Sequence, residues 1–247
     1  MNKTYSESVF VRPTECDLYG RMRPDALFIA MQEGGERHAL SLGFGYDALM
    51  SKGLFFVLAR IHLRTFRAPR YGEPIMHTTW PGVPNRFFFP RFHTFMLEDG
   101  TPLANAGSLW VLLDAKDRRI VSPAKADLPF PDNSDIPAPI ELPMRLPLHK
   151  EFAKTITRVP SYTDYDINGH VNNTRYIAWL SDALGIETLK GRYIGELTAG
   201  YEKEIRAADP LSLSFTLAGD DFSFRVASAA GGNHFVAGGT LREEVAP

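Results

Sequence analysis

The sequence predicts an α+β protein in which one plan occurs twice: a strand, a turn, a helix, then a run of antiparallel strands. Three observations predict it. DLYGRMRPDALFIAM (17–31) lies over DINGHVNNTRYIAW (166–179) with one inserted residue, matching Asp17 to Asp166, Gly20 to Gly169 and FIAM to YIAW; farther on, GEPI (72–75) lies over ADPL (208–211). Between the halves, PAKADLPFPDNSDIPAPIELPMRLP (123–147) places a proline every few residues, which favours an extended, semi-rigid segment. Each half also carries one stretch of helical period followed by several runs of strand character. The expected organisation is a first domain over 1–125, a proline-rich linker over 126–148 and a second domain over 149–247.

In the first half Pro24 suits the opening turn of a helix with Leu27, Ala30, Met31 and His38 on one face. Gly34 and Gly35 each weaken that helix by about 1 kcal/mol relative to Ala. Either they permit close packing or the helix breaks there. Strands follow in LFFVLARIHL, PIMHTTW, RFFFPRFHTFML and LANAGSLWVLLD. In the second half Asn172 or Asn173 caps a helix whose apolar positions are Tyr176, Ile177, Leu180, Ala183 and Leu184, and Gly185 ends it. Its strands are LTAGYEKEIR, LSLSFTLA, SFRVASA and HFVAGGTLR.

Composition excludes several classes of function. A hydrophobic content of 44% fills ordinary cores, and no apolar run approaches the roughly 18 residues of a membrane helix, GLFFVLA being about the longest. A formal charge of −2 gives nucleic-acid binding no support. Cys16 is the only cysteine, so no intrachain disulfide or thiolate metal cluster is available. MNKTYSESVFVRP lacks the features of a signal or transit peptide, and the expected location is the cytoplasm.

DYDINGHVNN (164–173) opens like a calcium-binding EF-hand loop. Counted from Asp164, however, position twelve is Arg175, a cation where the metal needs a bidentate Glu. The upstream stretch EFAKTITRVPSYT is rich in β-branched residues and holds a proline, so no helix enters the loop. No metal and no cofactor are expected.

The D-x-N-x-H-V-N-N-x-x-Y run from Asp166 to Tyr176, the Y-x-x-E from Tyr201 to Glu204 and the proline-rich join resemble the acyl-acyl carrier protein thioesterases. More loosely, the chain resembles the wider hotdog thioesterases, the 4-hydroxybenzoyl-CoA type among them. The closer resemblance spans nearly the whole chain. It implies two tandem hotdog domains, each an antiparallel sheet wrapped around a central helix, and an enzyme that hydrolyses the thioester of fatty acyl-acyl carrier protein. The implied catalytic residues are Asp166, Asn168, His170 and Glu204, all in the second half. The first half has Tyr19 and Arg21 at the positions of Asn168 and His170, so one site per chain is implied, with the first half shaping the acyl pocket. The implied partner is the acylated carrier protein; a homodimer stays open. Plant members often carry Cys directly after the acidic residue, where this chain has Ile205, which rules out a thiolate there. An acyl-CoA thioesterase and a non-catalytic acyl-binding module are the alternatives, and acyl chain length stays open.

Thioester hydrolysis needs a base or nucleophile, donors for the oxygen that becomes negative, and a fixed geometry. Backbone N–H groups near Asn172 to Thr174, at a helix N-terminus, are candidate donors. One assignment makes Glu204 the general base on water, Asp166 an organiser, and Asn168 and His170 the holders of water and carbonyl. The reverse, with Asp166 as base or nucleophile, stays open. Taken singly these residues have plainer readings: Asp166, Asn168 and Gly169 as a tight turn, His170 as a satisfied turn or core histidine, and Glu204 as a solvated residue of the strand LTAGYEKEIR. Only their joint occurrence points to chemistry. The series Arg60, Arg64, Arg67 and Arg70 offers charge to an acidic carrier, but strand alternation splits it between faces, and a solvated or interdomain role competes. Phe28, Trp80 and Phe87 to Phe89 are core residues first and pocket lining second.

Overall fold

The computed structural model describes residues 3–146, 151–229 and 231–244. The expected linker's last residues, 147–148, and the start of the second domain, 149–150, lie outside them. The eleven strands found among the described residues form one antiparallel sheet. The first half supplies β1 (Tyr5–Phe10), α1 (Pro24–Ser41), α2 (Tyr46–Ser51), β2 (Leu54–Thr65), β3 (Pro74–Pro81), β4 (Phe88–Met96), β5 (Pro102–Asp114), β6 (Ile120–Val121) and α3 (Pro123–Ala126). The second supplies β7 (Lys154–Arg158), α4 (Asn173–Leu184), α5 (Ile186–Leu189), β8 (Arg192–Tyr201), β9 (Leu211–Ala218), β10 (Asp221–Ser228) and β11 (Asn233–Glu243). The strand order β1-β3-β4-β5-β2-β8-β11-β10-β9-β7 reads the same outward from its centre in both directions. The short β6 pairs with β5 off this path.

The halves meet where β2 and β8 pair, with Arg60 opposite Gly200 and Arg64 opposite Glu196. Side chains alternate across this junction. Ile61, Leu63, Leu197 and Ala199 are fully buried on one face, in a single core that also holds Leu27, Phe28 and Met31 of α1 and Tyr176, Trp179 and Leu180 of α4. Burying a side chain the size of Phe28 contributes about 1.5–3 kcal/mol. The two helices therefore lie side by side over one continuous core.

Both helix predictions hold. Pro24 opens α1, and Asn172 caps α4 by accepting the Thr174 N–H on Oδ1 (2.9 Å). Tyr176, Ile177, Leu180, Ala183 and Leu184 are all buried. The glycine pair of α1 does not break the helix. A Cβ on Gly34 would sit 2.5 Å from the buried His77 ring, and one on Gly35 would sit 3.3 Å from Arg91 Cδ, so the pair admits strand side chains against the helix backbone.

One expectation is corrected. The strand foreseen as LTAGYEKEIR starts at Arg192 and ends at Tyr201. Beyond it Glu202 N donates to His234 O (2.9 Å) and Ile205 O accepts from Val171 N (2.9 Å), so the chain leaves the sheet and the strand reading of Glu204 fails. The proline-rich segment is extended as expected, and it lies strapped across the outer face of the sheet, a placement the sequence did not indicate. Asn133 Nδ2 donates to Pro81 O (2.8 Å), Asn105 Nδ2 to Pro139 O (3.1 Å), His62 Nδ1 meets Glu141 O (2.9 Å), and Arg60 Nη1 donates to Pro143 O (3.3 Å). Ile140 is buried against Trp80 and Phe92, which puts Trp80 beneath the strap, while Phe87 is exposed. Two of the arginine series bridge the halves, Arg64 pairing with Glu196 across the junction (3.0 Å) and Arg70 with Glu244, while Arg60 holds the strap and Arg67 pairs locally with Glu73.

Gly34→Ala is expected to destabilise the protein by about 1–3 kcal/mol, because the His77 ring is enclosed and cannot swing aside. Urea denaturation followed by circular dichroism checks this. A loss no larger than the scatter among surface variants would show that the helix and strand can separate freely.

Candidate active site

The loop before α4 is built around a carboxylate that serves structure. Asp164 closes the short 3-10 turn Tyr162–Asp164 by accepting the Ser161 N–H on Oδ2 (2.7 Å), and its Oδ1 accepts Arg175 Nε (2.8 Å). The first position of the calcium-like pattern is thus neutralised by the twelfth. Burial pushes the Asp164 carboxyl up, but the Ser161 N–H, Arg175 and Arg158 outweigh it and hold it below the usual carboxylate range. Among the described residues no group of three or more His, Cys, Asp or Glu is arranged to hold a metal ion.

The next residues form a tight turn. Gly169 N donates to Asp166 O (3.0 Å), Asp166 N to His170 O (3.0 Å), and Gly169 takes φ +72°, which glycine adopts without strain. Asp166 Oδ1 accepts the Asn168 N–H (2.8 Å). This leaves Oδ2 facing His170 Nδ1 at 3.7 Å, while His170 Nε2 stands 4.0 Å from Glu204 Oε1. The imidazole therefore lies between two carboxylates from separate segments, all three side chains about one-fifth exposed. Asn168 is joined to the group through its backbone, and its side-chain Oδ1 accepts from Tyr46 Oη of the first half (3.1 Å). All four residues singled out in the sequence thus fall in one cluster at the N-terminus of α4.

Three neighbours were not foreseen from the sequence. Glu204 Oε1 accepts Arg118 Nη2, from the turn between β5 and β6, and Oε2 accepts Arg206 Nη2 (2.7 Å) and Nε (3.1 Å). Burial pushes the Glu204 carboxyl up, but the two arginines, with a smaller effect from His170, hold it below the usual range. Tyr46, like Arg118, comes from the other half. Only Arg206 was near enough in the chain to be suspected.

The donors foreseen at Asn172 to Thr174 narrow to one. Asn172 N donates to Asp164 O (2.9 Å) and Thr174 N to Asn172 Oδ1, leaving the Asn173 N–H without an acceptor among the described residues. Tyr201 Oη donates to Asn173 O (3.0 Å) and steadies that residue.

The first half repeats this scaffold without its chemistry. Asp17 Oδ1 accepts the Tyr19 N–H (2.8 Å), as Asp166 does for Asn168, and Met22 N donates to Pro69 O (2.7 Å), as Val171 N does to Ile205 O. The residue before Pro69 is Ala68, so nothing matches Glu204. Arg21 stands where His170 does, fully buried, bound to Asp17 Oδ2 (2.7 Å) and donating to Leu189 O (2.8 Å). That side is closed by an ion pair.

Comparison with known proteins agrees over both halves. Residues 2–126 match the model of the acyl-ACP thioesterase N-terminal domain and residues 149–233 that of its C-terminal domain. The chloroplastic acyl-[acyl-carrier-protein] hydrolase FATB3 of Cuphea viscosissima is 28% identical over 223 residues, 82% of this chain and 52% of that protein. The chloroplastic oleoyl-acyl carrier protein thioesterase 1 of Arabidopsis thaliana is 25% identical over 230 residues, 83% of this chain and 62% of that protein. The chain thus spans about half the length of the curated relatives it matches. Two solved structures share its fold: an acyl-ACP thioesterase from Bacteroides thetaiotaomicron (TM-score 0.86, 24% identity, 97% of this chain and 98% of that one) and a 12:0-ACP thioesterase from Umbellularia californica (TM-score 0.86, 22% identity, 99% of each chain).

Two outcomes are expected at the site. Asp164→Asn leaves Arg175 without its carboxylate and should cost about 3 kcal/mol in denaturant unfolding. Glu204 has a depressed folded-state pKa, so the stabilisation from its ionised form is complete above the ordinary carboxylate range and is lost as pH falls through the folded value. Arg118→Gln should move that loss to higher pH. Unfolding free energies of Glu204→Gln against its parent, measured across the acid range in both backgrounds, check this; an unmoved profile would mean that Arg118 does not hold Glu204 in solution.

Proposed function

The chain belongs to the acyl-ACP thioesterase family, and from that membership we propose that it hydrolyses the thioester of a fatty acyl-acyl carrier protein, releasing free fatty acid and the carrier thiol. The observation that carries this reading is the convergence of Asp166, His170 and Glu204, from two segments, just ahead of a helix whose first N–H, that of Asn173, has no acceptor among the described residues. The mirror halves we read as tandem hotdog units, supported by the matching strand order and by one helix packed on each half of the sheet. Their pairing within one chain supplies a whole site without a second copy.

Between the two carboxylates the geometry favours Asp166 as the base. Both Glu204 oxygens are taken by arginines, which weakens Glu204 as a proton acceptor, whereas Asp166 Oδ2 faces only His170. In the proposed reaction a water gives a proton to Asp166 as its oxygen bonds to the thioester carbon. The charge that develops on the carbonyl oxygen is met by the Asn173 N–H, a contribution of about 3–4 kcal/mol for such a donor. The carbon–sulfur bond then breaks, and the leaving thiolate takes the proton from Asp166. His170 orients the water between the carboxylates, Asn168 holds the first half against the turn through Tyr46, and Glu204 with its arginines fixes the field around the imidazole. The reaction uses no thiol: Cys16 lies in the first half, with Sγ on Arg12 O (3.3 Å).

For carrier recognition the cations near the site are Lys116, Arg118 and Arg119 of the β5–β6 turn, all exposed, and Arg206; Asp117 of the same turn pairs with Arg119 (3.2 Å). An acidic carrier fits such a rim, through encounter rate more than through the bound state.

Asp166→Asn is expected to lower turnover by about 10²- to 10⁴-fold with the fold intact, and Glu204→Gln by less. Steady-state kinetics on an acyl-carrier substrate check the order; the reverse order would make Glu204 the base. Cys16→Ser and dialysis against chelator should leave turnover intact. For the carrier against the acyl-CoA reading, kcat/KM on acyl-carrier protein should fall with salt and fall several-fold in Arg119→Glu, while matched acyl-CoA changes little. Equal efficiency and equal insensitivity to salt for both would favour coenzyme A.

A further inference from the structure

A largely apolar cavity of about 100 Å³ lies in the first half between α1 and the sheet. Phe44, Phe56, Phe89, Trp110 and Phe130 wall it, yet its lining includes the buried Arg91, Gln32 and, on the exposed side of α1, Glu36, which is held by the Tyr46 N–H (2.8 Å). Arg91 is buried, and among the described residues no carboxylate lies within ion-pair distance of it. Its Nη1 donates to Thr79 Oγ1 (3.2 Å) and stands 3.4 Å from His38 Nδ1, so its partners are neutral or weakly basic. Burial lowers its pKa to about 10, which leaves it cationic at neutral pH. Gln32 Nε2 is buried with no hydrogen-bond partner. A buried cation with no carboxylate within ion-pair distance, Glu36 acting on it only from farther off, and a buried amide without an acceptor among the described residues are each costly, and both border one cavity. Gly35 lets the Arg91 stem lie against the helix backbone, so the arginine is seated there by design of the helix.

The cavity also has a direction. Phe44 lies two residues from Tyr46, which touches Asn168, and Phe56 follows Phe55, whose ring lies under Arg118 (5.0 Å), the partner of Glu204. Arg91 pairs with Ser108, six residues along β5 from the Asp114 that begins the Arg118 turn, roughly 20 Å away. Donors thus stand at the end remote from the thioester chemistry.

We propose that this cavity receives the far end of the acyl chain and that Arg91 and Gln32 select chains carrying an oxygen acceptor there, a hydroxyl or a carboxylate, over plain hydrocarbon. The proposal rests on the thioesterase reading for the identity of the chain, but binding tests it without turnover.

The probes are acyl-pantetheine amides, in which nitrogen replaces the thioester sulfur, bearing a plain, an ω-hydroxy or an ω-carboxy medium-length chain, titrated calorimetrically into the whole protein. The expected result is that at least one oxygenated probe binds roughly 10-fold tighter than the plain one. Arg91→Met should abolish or reverse that ratio, and Gln32→Leu should reduce it. The hydroxy and carboxy arms separate a dipole from a counter-charge as the group required. Tightest binding of the plain probe to the wild type, or an oxygen preference unchanged in Arg91→Met, overturns the proposal. If Arg91→Met does not fold, the wild-type ranking together with Gln32→Leu decides, with an unchanged preference in Gln32→Leu counting against it. Hydrolysis of a short-chain acyl-carrier substrate, which does not reach Arg91, reads the thioesterase function separately.

Discussion

The antiparallel pairing of β2 with β8 is the constraint on which the rest of the molecule depends. Five residue pairs join the halves, from Arg60 and Gly200 to Arg64 and Glu196. Because alternate side chains face opposite ways, this short junction governs both surfaces at once. Its inner residues, Ile61, Leu63, Leu197 and Ala199, make the floor on which α1 and α4 lie side by side. Its outer residues, Arg60, His62, Arg64 and Glu196, form a polar seam that receives the backbone carbonyls of the proline-rich strap. A one-residue slip would exchange the two sets and bury the charges.

The same pairing sets the halves in mirror order, so each turn before a helix meets the other half. Tyr19 donates to Ile186 O (3.1 Å), and Tyr46 donates to Asn168 across the corresponding contact. What differs is the filling. In the first half Arg21 occupies the space of an imidazole and saturates Asp17, and Ala68 leaves no second carboxylate. In the second, His170 is too short to saturate Asp166, and Glu204 is drawn toward Arg118 and Arg206. Duplicated backbone geometry with divergent charge gives one copy whose turn carboxylate keeps an oxygen open and one whose carboxylate is closed by an ion pair.

Charge is handled differently at the two ends of the first half. At the β5–β6 turn Arg118 reaches an anion across the junction and is half exposed, so solvent moderates the pair. Beneath α1, Arg91 is enclosed, its hydrogen-bond partner Thr79 is neutral and Glu36 acts only from beyond ion-pair distance, so its charge weighs far more. Glycine makes the second arrangement feasible: Gly34 and Gly35 keep the helix backbone close enough for His77 and Arg91 to pack beneath it.

The duplication, both helices, the cap of α4 and most strands were legible in the sequence, because each depends on near neighbours; the four candidate site residues stood out only through a resemblance spread along the chain. A helix face repeats every three or four residues, a cap is read over three, and the Asp166–His170 turn closes within five. The end of β8 at Tyr201 was not legible, since the alternation runs on through Lys203 and Ile205 and only the pairing of Ile205 O with Val171 N shows where the chain departs. Nor was the strap, whose prolines spoke for extension but not for the sheet beneath. Which arginine holds which anion was decided by the fold alone: Arg118 and Glu204 lie 86 residues apart, Arg70 and Glu244 lie 174 apart. Local pattern carries the conformational preference of the backbone; charge pairing acts through space, and the β2–β8 register is what turns distance along the chain into contact.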